Sequence, residues 1–188
     1  IFIKYFSFLG DRPSPEWKNW FLGIASCEIE EALSAPNLDR TYVLSMYSWF
    51  KENYRWEESL LAEQEKDIQI FLAIGRAMPK FDETMLRYHL LRTYFIEWSS
   101  PSLKFDPQLA DRIFKARQAI DEQLKSPVKF PLFRVVQRLT SPFIILRELI
   151  NGNPTEAEAV LADPQLLEEK ITEICRDKYA QISQRVST

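Results

Sequence analysis

Histidine is nearly absent from this sequence, since His89 is the only one among 188 residues. The two cysteines, Cys27 and Cys175, lie far apart and form no C-x-x-C pair. Zinc sites use closely spaced Cys and His ligands, and di-iron bundles need two Glu-x-x-His motifs. We therefore expect no disulfide framework and no metal or other cofactor, and we expect both thiols to be reduced and buried.

Glycine is also scarce, with four residues in the whole chain. The sequence contains none of the glycine motifs that build phosphate loops, dinucleotide sites or the nucleophile elbow of hydrolases. Nucleophilic catalysis needs a base beside the nucleophile, and neither cysteine has the histidine near it in sequence. The sequence favours a non-enzymatic protein, although a substrate-assisted reaction needs no motif and leaves the enzyme alternative open.

Charge of one sign is lacking as well: 24 basic and 27 acidic residues give a formal net charge of -3. We expect the two signs to be mixed along the whole chain, which argues against nucleic acid as a partner. The most apolar stretch, residues 130–150, contains Arg134, Arg138 and Arg147. Arginines are costly at the centre of a bilayer, so this stretch is not predicted to span a membrane.

Proline, in contrast, recurs in a fixed setting, directly after Ser, Asp or Asn. Such a pair is typical of a helix start, because the polar side chain caps the first turn and proline needs no N–H there. The pairs are Ser14–Pro15, Asp106–Pro107, Ser126–Pro127, Ser141–Pro142, Asn153–Pro154 and Asp163–Pro164. Without Asn-Gly or Asp-Gly turns for hairpins, the sequence predicts an all-α fold.

Apolar residues at three- and four-residue steps then predict about seven or eight helices in one bundle or irregular array. The predicted spans are 15–34, 38–53, 56–78, 82–98, 107–124, 128–150 with a break at Ser141–Pro142, 154–161, and 164 to the end. Spans 38–53 and 128–150 are apolar on more than one face, so we expect them to be central. One domain is predicted over residues 1–188, with an N-terminal strap at 1–13 and a helical core at 14–188.

Both ends of the sequence suggest a piece of a longer chain. The first residue is Ile1 rather than Met, and an aromatic, apolar run follows it at once. The last predicted helix reaches Thr188 without a terminating Gly or Pro. We expect the natural polypeptide to continue beyond these residues.

Three polar residues on one predicted helix form the first candidate site. His89 follows Met85 and Leu86 at helical spacing, which is typical of a hydrogen-bonded core histidine. The functional alternative is a ligand-binding or sensory bundle with a pocket for an anion or small molecule, lined by Tyr88, His89 and Arg92.

Aromatic residues supply the second candidate site, because they make up 13% of the chain and exceed what a core needs. We expect a cytoplasmic protein-interaction or scaffold module that binds another protein or another domain of its own chain. Its predicted contact surface consists of Trp17, Trp20, Trp56 and Phe133. The sequence leaves the oligomeric state open and resembles no family that we can name.

A basic stretch gives a third hypothesis, a peripheral membrane module. Lys129, Arg134 and Arg138 lie among apolar residues, and such a stretch can rest on an anionic membrane surface. The competing interpretation is a core helix with its arginines at the rim.

Overall fold

The computed structural model describes residues 14–33, 38–56, 61–78, 80–99 and 107–186. In these ranges the regular structure is entirely helical, with nine α-helices, one 3-10 helix and no strand, and the all-α prediction is confirmed. The α-helices are α1 (Pro15–Leu33), α2 (Leu38–Asn53), α3 (Glu63–Ala77), α4 (Glu83–Tyr94), α5 (Pro107–Leu124), α6 (Lys129–Arg138), α7 (Thr140–Gly152), α8 (Pro154–Ala162) and α9 (Pro164–Val186). The 3-10 helix (Ile96–Ser99) follows α4. The predicted strap, residues 1–13, lies outside the described residues.

Polar side chains cap three helices where the sequence predicts. Asn153 accepts a hydrogen bond from the Glu156 N–H at 3.3 Å, and Asp163 accepts one from the Gln165 N–H at 2.9 Å. Ser14 Oγ accepts the Trp17 N–H at 3.4 Å. These bonds satisfy N–H groups that have no acceptor inside the helix, which is why these helices begin there.

Ser126 and Ser141 do not cap the helices that were predicted to follow them, although α6 and α7 begin within two residues of the predicted positions. Two turn residues separate Ser126 from α6, and the Ser126 hydroxyl is buried without a hydrogen-bond partner. The break before α7 falls at Leu139, so Ser141 lies inside that helix and Pro142 is its third residue. Proline is tolerated throughout the first turn, because none of the N–H groups there has an intrahelical acceptor.

The chain divides into two compact units, residues 1–136 and 137–188. In the first unit α1 packs on α4, α2 on α3, and α5 on both α3 and α4. In the second unit α7, α8 and α9 pack on one another. The extent of a single domain over residues 1–188 stays a prediction.

The core of the first unit is aromatic and aliphatic, and it is built mainly by α1, α4 and α5. Its members include Trp20, Phe21, Leu90, Trp98 and Ile113. The helices α1 and α4 approach closely, since a Cβ at Gly23 would lie 2.7 Å from the Thr84 methyl carbon. This crossing holds α4 firmly against the core.

Helix α2 is not central in the way that its composition predicts. Val43 and Met46 are buried at 2% and 0%, whereas Leu44 and Trp49 are 50% and 41% exposed. The stretch 128–150 departs in the same way, because Phe130 is 67% exposed. Apolar residues on a second face of these helices therefore meet solvent.

Candidate functional site

A cavity of about 740 Å³ opens between α2, α3, α4 and the residues that follow α4. Its wall is mainly aliphatic and aromatic. The lining residues are Val43, Leu44, Tyr47, Gln64, Asp67, Ile68, Phe71, Phe81, His89, Arg92, Thr93, Tyr94 and Ile96. The volume lies in the range of cavities that bind ligands or anchor side chains of partners.

Helix α4 presents His89 and Arg92 to the cavity because its other face is fixed in the core. Asp82 caps the helix by accepting the Met85 N–H at 2.7 Å. Leu90 and Leu91 are almost fully buried, at 1% and 0% exposed. These contacts set the rotation of the helix, so the half-buried side chains of His89 and Arg92 face the cavity.

His89 forms part of an aromatic wall. Its ring centroid lies 5.0 Å from that of Phe81 and 5.9 Å from that of Phe71, which packs on it edge-on. Both distances fall in the range of favourable aromatic pairs. His89 thus contributes an aromatic surface to the lining of the cavity.

Arg92 forms an ion pair with a carboxylate of the same chain. Its Nη1 donates to Glu31 Oε2 at 2.5 Å, and the Tyr88 hydroxyl donates to the same oxygen at 2.5 Å. Burial and then the bond to Glu31 raise the pKa of the Tyr88 phenol, which keeps it a donor. Burial is the largest single influence on the pKa of Arg92 and lowers it, but the hydrogen bond to Glu31 and the further interactions with Tyr88 and Glu31 together outweigh burial and raise this pKa.

The carboxylate of Glu31 thus lies beside Tyr88 and Arg92, where the sequence predicted an external anion, and a pocket for an anion or small molecule stays a prediction. Tyr88 is 3% exposed and points to Glu31 on α1, while His89 and Arg92 line the cavity. The position of Glu31 on a helix far away in sequence explains why no local pattern revealed this carboxylate.

A second ion pair includes Asp67, which also lines the cavity. Lys51 Nζ on α2 lies 2.8 Å from Asp67 Oδ2 on α3. The same ammonium lies 5.6 Å from the ring centroid of Tyr47, a cation–π distance. Each of the two ion pairs joins one positive and one negative charge, so neither pair adds net charge to the cavity.

Three apolar residues of the cavity lining are well exposed, and we call them the apolar collar: Leu44, Tyr94 and Ile96. These three side chains are 50%, 39% and 82% exposed. Leu44 lies on α2, far in sequence from Tyr94 at the end of α4 and Ile96 at the start of the 3-10 helix, so no local pattern places it at the same cavity. The collar extends the apolar surface from the cavity onto the protein exterior.

The residues of the predicted contact surface lie in different surroundings. Trp17 is half-buried and its ring packs against Trp20 at 5.8 Å, whereas Trp20 is only 8% exposed and belongs to the core. Trp56 packs edge-on against Tyr54 at 5.4 Å, and Phe133 is half-buried on α6. Trp20 is therefore a packing residue rather than a surface one, because α1 turns it toward the core.

The second unit has a polar cavity of about 550 Å³ beside α9. Its charged side chains are largely engaged with one another, with Lys178 2.8 Å from Glu148 and Lys170 2.8 Å from Glu173. The described residues include no group of three or more His, Cys, Asp and Glu side chains that could hold a metal ion. We assign this cavity no ligand.

Among the helices of the described ranges, none combines the length and apolar character needed to cross a bilayer. Comparison with known proteins adds no relative: no family model, no curated protein and no solved structure matches the chain.

Proposed function

We propose that the chain is a protein-interaction module whose cavity beside His89 receives an uncharged, apolar segment of a partner protein. The apolar collar carries the proposal, because Leu44 and Ile96 line the cavity and yet expose 50% and 82% of their surface. A small ligand inside the cavity would leave this collar in water. A protein segment would cover cavity and collar together, as in interfaces with an apolar centre and a polar rim.

The charges at the cavity define the chemistry of the partner segment. Arg92 is paired with Glu31 and Lys51 with Asp67, so each charge already has an opposite one at hydrogen-bond distance. A charged occupant would lose its hydration and would find no charge awaiting a partner. An aromatic or aliphatic anchor gains from the wall of Phe71, Phe81 and His89 and loses little.

The proposal is tested by selecting phage-displayed random peptides on the purified chain. Enriched peptides should share aromatic or aliphatic anchors without charge. Their affinity should fall about tenfold or more in Ile96→Asp and Leu44→Asp, because each change places a charge in the collar. Ile96 and Leu44 are exposed, so these variants should keep the fold.

Leu22→Asp is the matched control, since Leu22 is 53% exposed on α1 and does not line the cavity. This variant should bind the selected peptides as the unchanged chain does. Absence of enrichment, or peptides that bind the two collar variants with undiminished affinity, would overturn the proposal.

A further inference from the structure

Helix α6 exposes one face on which phenylalanine and arginine lie side by side. With about 100° of rotation per residue, positions 130, 133, 134, 137 and 138 fall on one side of the helix. Phe130 is 67% exposed, Phe133 is half-buried, and Arg134, Gln137 and Arg138 are exposed. On the opposite side, Leu132 and Val136 are buried at 3% and 0%. The aromatic and basic side chains therefore share the outward face.

Every charged residue in the sequence around α6 is basic. Between residues 123 and 147 there is no Asp or Glu, and the basic residues there are Lys125, Lys129, Arg134, Arg138 and Arg147. The expectation that the two signs are mixed along the whole chain is thus wrong for this stretch. The totals of 24 basic and 27 acidic residues conceal it, because the acidic residues lie outside it.

We propose that this face of α6 binds the surface of a membrane that contains anionic lipid. Phe130 would insert at the boundary between head groups and acyl chains, where aromatic rings are favoured. Arg134 and Arg138 would extend their aliphatic stems along the same face and place their guanidinium groups among the lipid phosphates. One partner would then both attract the basic side chains and cover the exposed aromatic ring.

Anionic lipid fits this face better than the other polyanions. Lys129 Nζ lies 5.4 Å from the ring centroid of Phe130 and covers one face of the ring. Recognition of single-stranded nucleic acid relies on open aromatic faces on which bases stack. An acidic peptide would meet the arginines and leave the exposed ring of Phe130 in water. These two partners become outcomes of the test.

Flotation with lipid vesicles tests the proposal directly. The unchanged chain should float with vesicles of phosphatidylcholine and phosphatidylserine, and much less with phosphatidylcholine alone. Added salt should weaken the binding, because surface charges are screened. Neutralising Arg134 and Arg138 in Arg134→Gln/Arg138→Gln should lower the partition coefficient on the order of 30-fold, with about fivefold from each arginine.

Phe130→Ala tests the apolar half and should lower partitioning about tenfold. Tyr179→Ala is its matched control, because Tyr179 is an aromatic residue that is 74% exposed on α9. Lys115→Gln, on a helix with mixed charges, is the control for the arginines. Thermal unfolding of each variant shows that it is folded before its partitioning is compared.

Several results would overturn the proposal. The first is equal flotation with and without phosphatidylserine, and the second is a Phe130→Ala variant that floats as much as Tyr179→Ala. The third is binding of oligothymidylate or polyglutamate without any binding of anionic vesicles. The proposal is independent of the cavity, so Ile96→Asp should float like the unchanged chain. Failure of the peptide selection would leave this result unaffected.

Discussion

Cys27 and Cys175 have the same side chain in different surroundings. Cys27 is buried in the core of the first unit, whereas Cys175 is half-buried on α9. Burial, followed by the nearby charges of Asp82 and Glu30, raises the pKa of Cys27 to about 11. The sequence predicted two buried thiols, and burial is confirmed for Cys27 alone, because the periodicity of α9 cannot show how deeply its neighbours cover Cys175.

We predict that Cys27 resists alkylation in the folded protein. The raised pKa lowers its thiolate fraction about a hundredfold at pH 8, and burial hinders the reagent further. Iodoacetamide should label the Cys27→Ser variant, through Cys175, much faster than the Cys175→Ser variant. Denaturant should make the two rates similar. Equal rates in the folded variants would contradict the burial of Cys27.

Glu31 connects α1 to the wall of the cavity, and its removal should cost stability. In Glu31→Gln, Arg92 keeps its charge in a site where 26% of its side chain is exposed, but it loses the carboxylate. We expect urea unfolding to show a loss of about 1 to 2 kcal/mol, since bonds to charged groups are worth more than neutral ones and partial exposure weakens them.

Tyr88→Phe is the comparison for Glu31→Gln. It removes the hydroxyl that donates to Glu31 and accepts from Arg92 Nη1 at 3.4 Å, and it leaves the Arg92–Glu31 ion pair in place. We expect a loss of about 1 kcal/mol or less. If Tyr88→Phe proved the more damaging change, the ion pair would not be the dominant contact.

The sequence could predict His89 and Arg92 as neighbours on one helix face, but it could not predict their surroundings. Phe71 lies on α3, Phe81 precedes α4, and Glu31 lies on α1. Helical periodicity relates residues three or four apart and carries no information about which helices meet. The neutral character of the cavity follows only from these long-range contacts.

At the scale of helices, local chemistry predicted most boundaries. Helices α2 and α5 have the predicted limits, and α1, α8 and α9 begin at the predicted prolines. Helix α3 begins at Glu63 rather than near Trp56, and α4 ends at Tyr94 before a 3-10 turn. Apolar side chains continue past both limits, so periodicity alone could not mark where the backbone leaves the α conformation.

Mutation can distinguish a residue that caps a helix from one that only precedes a proline. Asp163 accepts the N–H groups of Gln165 and Leu166 at 2.9 and 3.3 Å, so Asp163→Ala should cost about 1 kcal/mol in urea unfolding. Ser141 also precedes a proline but is exposed inside α7. Ser141→Ala should change the unfolding free energy by less than about 0.5 kcal/mol. Equal losses would restore Ser141 as the start of α7.

At the scale of the molecule, the two compact units differ in the number and size of the apolar side chains that they bury. The first unit has large buried side chains such as Phe21, Trp98 and Ile120. The buried cluster of the second unit consists of Leu149, Ala157 and Val160, with Ile150, Leu167 and Ile174 partly buried against it. The sequence predicted one domain because 188 residues is an ordinary length for a single hydrophobic core, and neither length nor composition reports where contacts divide.

Hydrogen exchange followed by mass spectrometry should reveal this difference. Local opening costs less free energy where little apolar surface is buried, and most residues of α9 are exposed. We expect backbone amides in the middle of α9 to exchange at least about tenfold faster than those in the middle of α4, after correction for intrinsic rates. Val160→Ala should accelerate exchange further in α8 and α9 while α4 is unchanged. Equal protection of α4 and α9, or acceleration of both by Val160→Ala, would show that the two units open together as one cooperative body.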